Sequence, residues 1–184
     1  MSAIEMYGMN REQVARVCCI SEAQVKGWAQ DRGRLFPEKE RGRGTPWSYR
    51  MTDAMKLSCV AALVDSGMNI GQACDAIRPY SPYGSFLHDG PDFVLSLNEK
   101  GRWVGAWGTN TPVRLVINLL PLFKRVVAGV EEIVSEDDDL TAEDKESLMT
   151  EWRNLSEKLI STREQQSQTQ VRGNASVDAT LVSE

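Results

Sequence analysis

The segment NREQVARVCCISEAQVKGWAQ, residues 10–30, constrains the fold most, because it holds two short helical patterns separated by a tight turn. Asn10 can cap the first helix, whose Val14, Val17 and Cys18 share one apolar face. Cys19 and Ile20 supply the turn. Ser21 and Gln24 have capping-box spacing and open the second helix, 21–30. Val25 and Trp28 point back toward the first helix, and Glu22, Ala23, Lys26, Gly27 and Gln30 are left outward. Two helices joined this closely predict a helix-turn-helix, with Gln24 and Lys26 placed to read a groove.

The next stretch, RLFPEKERGRGTPWSYRMTDA, reads as a basic hairpin. Residues 34–36 and 47–50 are expected to pair as short strands around a Gly-rich tip at 38–45, and Thr52 to cap a helix through Leu57, Val60, Ala61 and Val64. Over residues 32–50, six Arg and Lys face two Glu, a local excess of +4 inside a chain whose formal net charge is -5. Phosphate contacts act over about a Debye length, roughly 10 Å, so the local excess matters more than the total. The acids gather instead at Glu131, Glu132, Glu136 and Asp137 to Asp139.

The ordered run VARVCCISEAQVKGW, LFPEKERGRG, YRMTDAMKL and SGMNIGQACDAI resembles the DNA-binding domain of MerR-type transcriptional regulators over about 70 residues, 9–78. The resemblance implies a winged helix-turn-helix with phosphate and base contacts at Arg16, Gln24, Lys26, Trp28, Arg41, Arg43, Tyr49 and Arg50. Gly27 stands where the family often has an aromatic, and Met51 replaces the usual aromatic after the wing arginine. The family usually dimerises through a long helix after this domain. Here a Pro/Gly-rich stretch at 79–91 reads as a linker, and no cysteine follows Cys74, so the metal-sensing branch of the family is not expected.

Beyond the linker, residues 92–134 read as a small α+β region. Phe93, Leu95 and Leu97 alternate, Asn98 to Gly101 turns, and Trp103 to Trp107 returns as a second strand. The two tryptophans are expected to fill a small core, the alternative being a pocket for an apolar or aromatic ligand. In residues 113–134, Pro121 either kinks one helix or divides a strand from a helix. From Thr141, whose T-A-E-D has capping-box form, a helix over 140–164 carries Leu148, Trp152, Leu155 and Leu159 on one face and is expected to mediate oligomerisation. The tail, 165–184, is expected to be disordered.

The fold class is therefore mainly α with small β elements. The four cysteines show no CxxC pair and read as small buried hydrophobes. His88 is the only histidine, and no P-loop, GxSxG, HExxH or dinucleotide fingerprint occurs, so no enzyme activity, metal or cofactor is expected. Asp137 to Asp139 are consecutive and do not converge on one ion. No apolar run reaches the roughly 20 residues that span a bilayer, and a cytoplasmic protein is expected, nucleoid-associated or phage-encoded. The expected partners are double-stranded DNA, a second copy as a homodimer, and RNA polymerase or another regulator through the acidic stretch. The alternative within DNA binding is a phage or mobile-element protein of excisionase or small-terminase type that bends or marks DNA.

Overall fold

The caps at Asn10 and Ser21 form as their spacing requires. In the computed structural model, which describes residues 7–31, 35–37, 47–105 and 113–180, α1 spans Arg11–Cys18 and α2 spans Glu22–Lys26. Asn10 Oδ1 accepts the Gln13 N–H at 2.9 Å, and Gln13 Oε1 accepts the Asn10 N–H at 2.8 Å. Ser21 and Gln24 repeat this exchange at 3.2 and 2.8 Å, satisfying donors that a helix start leaves unpaired. Between the helices Cys19 is left-handed, at φ 55°. Its N–H donates to the Arg16 carbonyl and that of Ile20 to the Ala15 carbonyl, at 3.1 and 3.0 Å, closing a Schellman motif. The second helix then widens into a π-helical turn, Gly27–Asp31, with Val25, Trp28 and Ala29 buried.

Helix α3, Met51–Asp65, is buried nearly all round, because α1 and three later helices enclose it. Its cap differs from expectation. Arg50, not Thr52, is the first non-helical residue, and the Asp53 carboxylate accepts the Arg50 N–H at 2.7 Å. Helix α4, Ile70–Ile77, is capped by Asn69.

The expected strand pairing before α3 is also altered. Leu35 to Pro37 forms no strand, and Tyr49 instead exchanges both backbone hydrogen bonds with Met9, at 2.7 and 2.8 Å. Leu35 donates its N–H to the Trp28 carbonyl, and the rings of Phe36, Trp47 and Tyr49 pack at 5.7 to 6.4 Å. Aromatic contact rather than a ladder thus closes the root of this loop. Its tip, with Arg41 and Arg43, lies outside the described residues.

Residues 79–91 are not a linker. They contain α5, Pro82–His88, which buries Tyr83, Ser85 and Phe86. Pro82 occupies the first helical position, where a missing N–H costs nothing, so the proline begins a helix instead of breaking one. Strands β1 (Asp92–Leu97) and β2 (Trp103–Gly105) make the expected hairpin, turned by Asn98 and by Gly101 at φ 68°. Trp107 lies outside the described residues. A third strand, β3 (Arg114–Asn118), pairs antiparallel on the other side of β1, giving the order β2-β1-β3. Asn118 caps α6, Leu119–Glu136, and Pro121 falls in its first turn, so the proline marks a strand-to-helix junction and no kink.

Helix α7 runs Ala142–Thr180, started by Thr141 Oγ1 accepting the Asp144 N–H at 3.1 Å. It continues past Glu164 to Thr180, inside the stretch expected to be disordered. Low apolar content argues against a packed core, but Gln, Arg and Ala still favour helix, and no proline intervenes.

Helix α6 organises the core. Its apolar face, from Leu122 through Val134, meets α1 and α3, and α7 covers it as well. Gly129 lets α1 approach closely, since a Cβ there would sit 3.1 Å from the Val17 Cα. The fully buried Trp152 of α7 packs on Phe123, which stacks on Phe86 at 4.3 Å. Arg163, 6% exposed, donates from Nε and Nη2 to the Phe86 and Leu87 carbonyls at 2.8 and 2.7 Å, neutralising the end of α5. Of the stripe on α7 expected to join two copies, Trp152 is buried within the chain and Leu148, Leu155 and Leu159 pack half-buried against the same core. One hydrophobic core runs from Met9 to Trp152 and replaces the expected succession of separate units.

Trp152→Ala should lower the free energy of unfolding by about 3–5 kcal/mol, and Gly129→Ala by about 1–3 kcal/mol through overpacking against Val17. Both are read from urea titrations. Coincident fluorescence and circular-dichroism transitions in the parent protein are expected from a single core.

Candidate nucleic-acid interface

The outward side of α2 is accessible to solvent. Glu22, Ala23, Gln24 and Lys26 are exposed, while Val25, Trp28 and Ala29 seal the inner side against the core. A Cβ on Gly27 would meet nothing within 4 Å, so this position also opens outward. The backing is rigid, because α1 is held by α3 and α6.

Of the eight residues named from the resemblance, six are described, and these fall into four kinds. Lys26 and Arg50 are exposed. Gln24 is exposed, but its carboxamide oxygen accepts from the Ser21 N–H, so only its NH2 donors remain to read an acceptor. Trp28 and Tyr49 are buried, at 7% and 0% exposure, and cannot reach a duplex from these positions. They close the core, because the spacing that sets Trp28 beside Val25 turns its ring inward. Arg41 and Arg43 lie outside the described residues.

Arg16 is exposed but engaged. Its Nη2 lies 2.6 Å from Glu136 Oε2 at the C-terminal end of α6, with Glu132 nearby. The bond to Glu136 raises the guanidinium pKa, and the neighbouring carboxylates disfavour an approaching phosphate. Arg16 thus ties α1 to α6, and in this arrangement its guanidinium is paired.

Sequence reasoning missed a second tie beside it. The Tyr7 hydroxyl donates to the Asp137 carboxylate, which also accepts the Asp139 N–H. The Tyr7 bond holds Asp137 below the usual carboxylate range, and burial together with this acidic partner raises Tyr7. The acidic run expected to meet a basic protein is thus partly occupied within the chain, by Arg16, Tyr7 and, from Glu131, Arg153 at 3.7 Å. Only contacts distant in sequence reveal these pairings.

Cys18, Cys59 and Cys74 are buried as expected, but Cys19 is exposed at the turn. Burial pushes the Cys18 thiol up to about 12 and Cys74 to about 11, with Cys59 raised further. Among the described residues no group of three or more His, Cys, Asp or Glu could hold a metal ion, and no helix is long and apolar enough to cross a membrane.

Comparison with protein-family models, with curated proteins and with solved structures finds no match, and the chain is assigned to no family.

At pH 8 a thiol-reactive disulfide reagent should modify one cysteine per native chain, Cys19, and four after unfolding. A second fast-reacting thiol would contradict the packing of α1 on α3. The buried thiols keep their protons above the ordinary value of 9.0, while the unfolded chain releases them there first. Stability should therefore fall as pH rises above about 9.

Proposed function

We propose that this protein is a sequence-specific DNA-binding transcriptional regulator that places α2 in the major groove and its basic wing, with the tip at 38–45, on the adjacent backbone or minor groove. The observation that carries this reading is the two-sidedness of α2. Its inner side is welded into the core, and its outer side presents Gln24, Lys26 and the open position Gly27. A major groove is wide enough to admit such a helix. The left-handed turn and the two reciprocal caps fix the angle between α1 and α2, as a helix-turn-helix requires. The local basic excess of residues 32–50 adds the sequence-independent attraction.

The MerR-type resemblance supports the same use of α2 and the wing. The contacts we retain are Lys26, Arg43, Arg41, Arg50 and the amide donors of Gln24. The family's long dimerisation helix has no counterpart directly after α4, where α5 and the sheet turn the chain back onto the core. Two copies would bind successive half-sites roughly 34 Å apart. With the α7 stripe packed against the core, Val113 and Val116, the large apolar side chains exposed at β3 among the described residues, are the surface left for pairing.

Replacing Lys26 and Arg43 together by alanine should abolish sequence-specific footprints while leaving the circular-dichroism spectrum and unfolding midpoint unchanged. An unaltered footprint in the folded double variant would refute the assignment of α2 and the wing. One shifted species on a palindromic site supports a dimeric regulator. A ladder of shifted species would instead favour an excisionase- or terminase-like protein that coats DNA.

A further inference from the structure

A cleft of about 740 Å³ opens between the root of the wing, α4 and the turn of the β1–β2 hairpin. Its size suits a single small molecule. Pro37 stands on the wing side, Arg78 and Tyr80 follow α4, and Arg102 and Trp103 come from the hairpin.

The walls are fixed relative to one another. The Tyr80 hydroxyl accepts the Gly105 N–H at 2.7 Å, and its ring lies so close to Gly105 that a Cβ there would fall 2.8 Å from ring carbons. Any side chain at 105 would push β2 off Tyr80 and change the cleft. Tyr80 is in turn packed edge-on against the buried Phe93, so the hairpin is bolted to the end of α4. The Arg102 backbone N–H is held by Asn98 Oδ1 at 2.9 Å, which fixes the backbone from which this lining residue extends.

The chemistry of the lining is asymmetric. Arg78 and Asp75 pair at 2.8 Å and cancel each other. Arg102, also on the lining, has no ion-pair partner among the described residues and gives the described lining one positive charge. Trp103, on the outer strand of the sheet, is half-buried against the core and also lines the cleft. A flat ring gains from stacking on an indole and on proline, and a guanidinium fork suits a carboxylate or phosphate.

We propose that this cleft is a binding site for a small aromatic anion, its ring between Trp103 and Pro37 and its acidic group on the Arg102 guanidinium. The site stands on its own geometry and does not rest on the DNA-binding reading. A ligand there would touch the wing root, α4 and the hairpin together.

The test is isothermal titration calorimetry of the full chain with indole-3-acetate, indole-3-acetamide, tryptamine, adenosine monophosphate and adenosine. The expected result is saturable one-to-one binding of at least one of the two anions. Its neutral counterpart should bind at least tenfold more weakly, as should tryptamine for the indole series. Comparing the two anions distinguishes a carboxylate from a phosphate ligand. Arg102→Gln changes an exposed side chain whose backbone contacts persist, and it should reduce the anion to the affinity of its neutral counterpart. Trp103→Leu should weaken both. The proposal is overturned if neither anion binds saturably, if the neutral or cationic compound binds as well as the acid, or if Arg102→Gln binds unchanged while its circular-dichroism spectrum is native.

Discussion

Everything in this protein is arranged around the apolar face of α6. Eight of its side chains are buried, and each contributes on the order of 1.5–3 kcal/mol relative to exposure. That face is too wide for one neighbour. It receives α1 where Gly129 admits Val17, α3 along its length, and α7 through the stack of Trp152, Phe123 and Phe86. Without α6 the two N-terminal helices would have to stand on α3 alone.

The consequence for α2 is orientation. A helix as short as Glu22–Lys26 is unstable in isolation, since nucleation costs more than one turn returns. It persists here because Ser21 caps it, Val25 and Trp28 anchor it, and Cys19 accepts a left-handed conformation to set its direction. A residue with a Cβ is strained there by about 1–2 kcal/mol, and the surrounding hydrogen bonds from Cys19 and Ile20 hold it in place. Rigid backing of a reading helix reduces the ordering cost of docking it into a groove.

Local signals made much of the fold legible. Helix caps at Asn10, Ser21 and Thr141, the strand carrying Phe93, Leu95 and Leu97, and the Asn98 to Gly101 turn depend on near neighbours, and each forms, although the reciprocal box at Thr141 does not and Ser96 is buried where Leu97 is only half-buried. What failed depended on distant partners. Pro82 and Gly84 suggested a break, yet the burial of Tyr83 and Phe86 against Phe123 makes that stretch a helix. The α7 stripe showed a need for burial without naming α6 as its partner. For the candidate site, Lys26 and Gln24 followed from helix periodicity. The inward turn of Tyr49 follows from pairing with Met9, forty residues earlier, and the engagement of Arg16 from Glu136. Neither leaves a local trace.

The exposed side of α2, held through α1 on α6, is the surface proposed to meet duplex DNA. Backbone-amide hydrogen exchange of the full chain tests it most directly, measured with and without a duplex selected from a random pool on the immobilised protein. The account predicts added protection over residues 21–31 and 38–50, with α7 unchanged. Failure to select any duplex above background, or protection confined to α7 and the sheet, would contradict it.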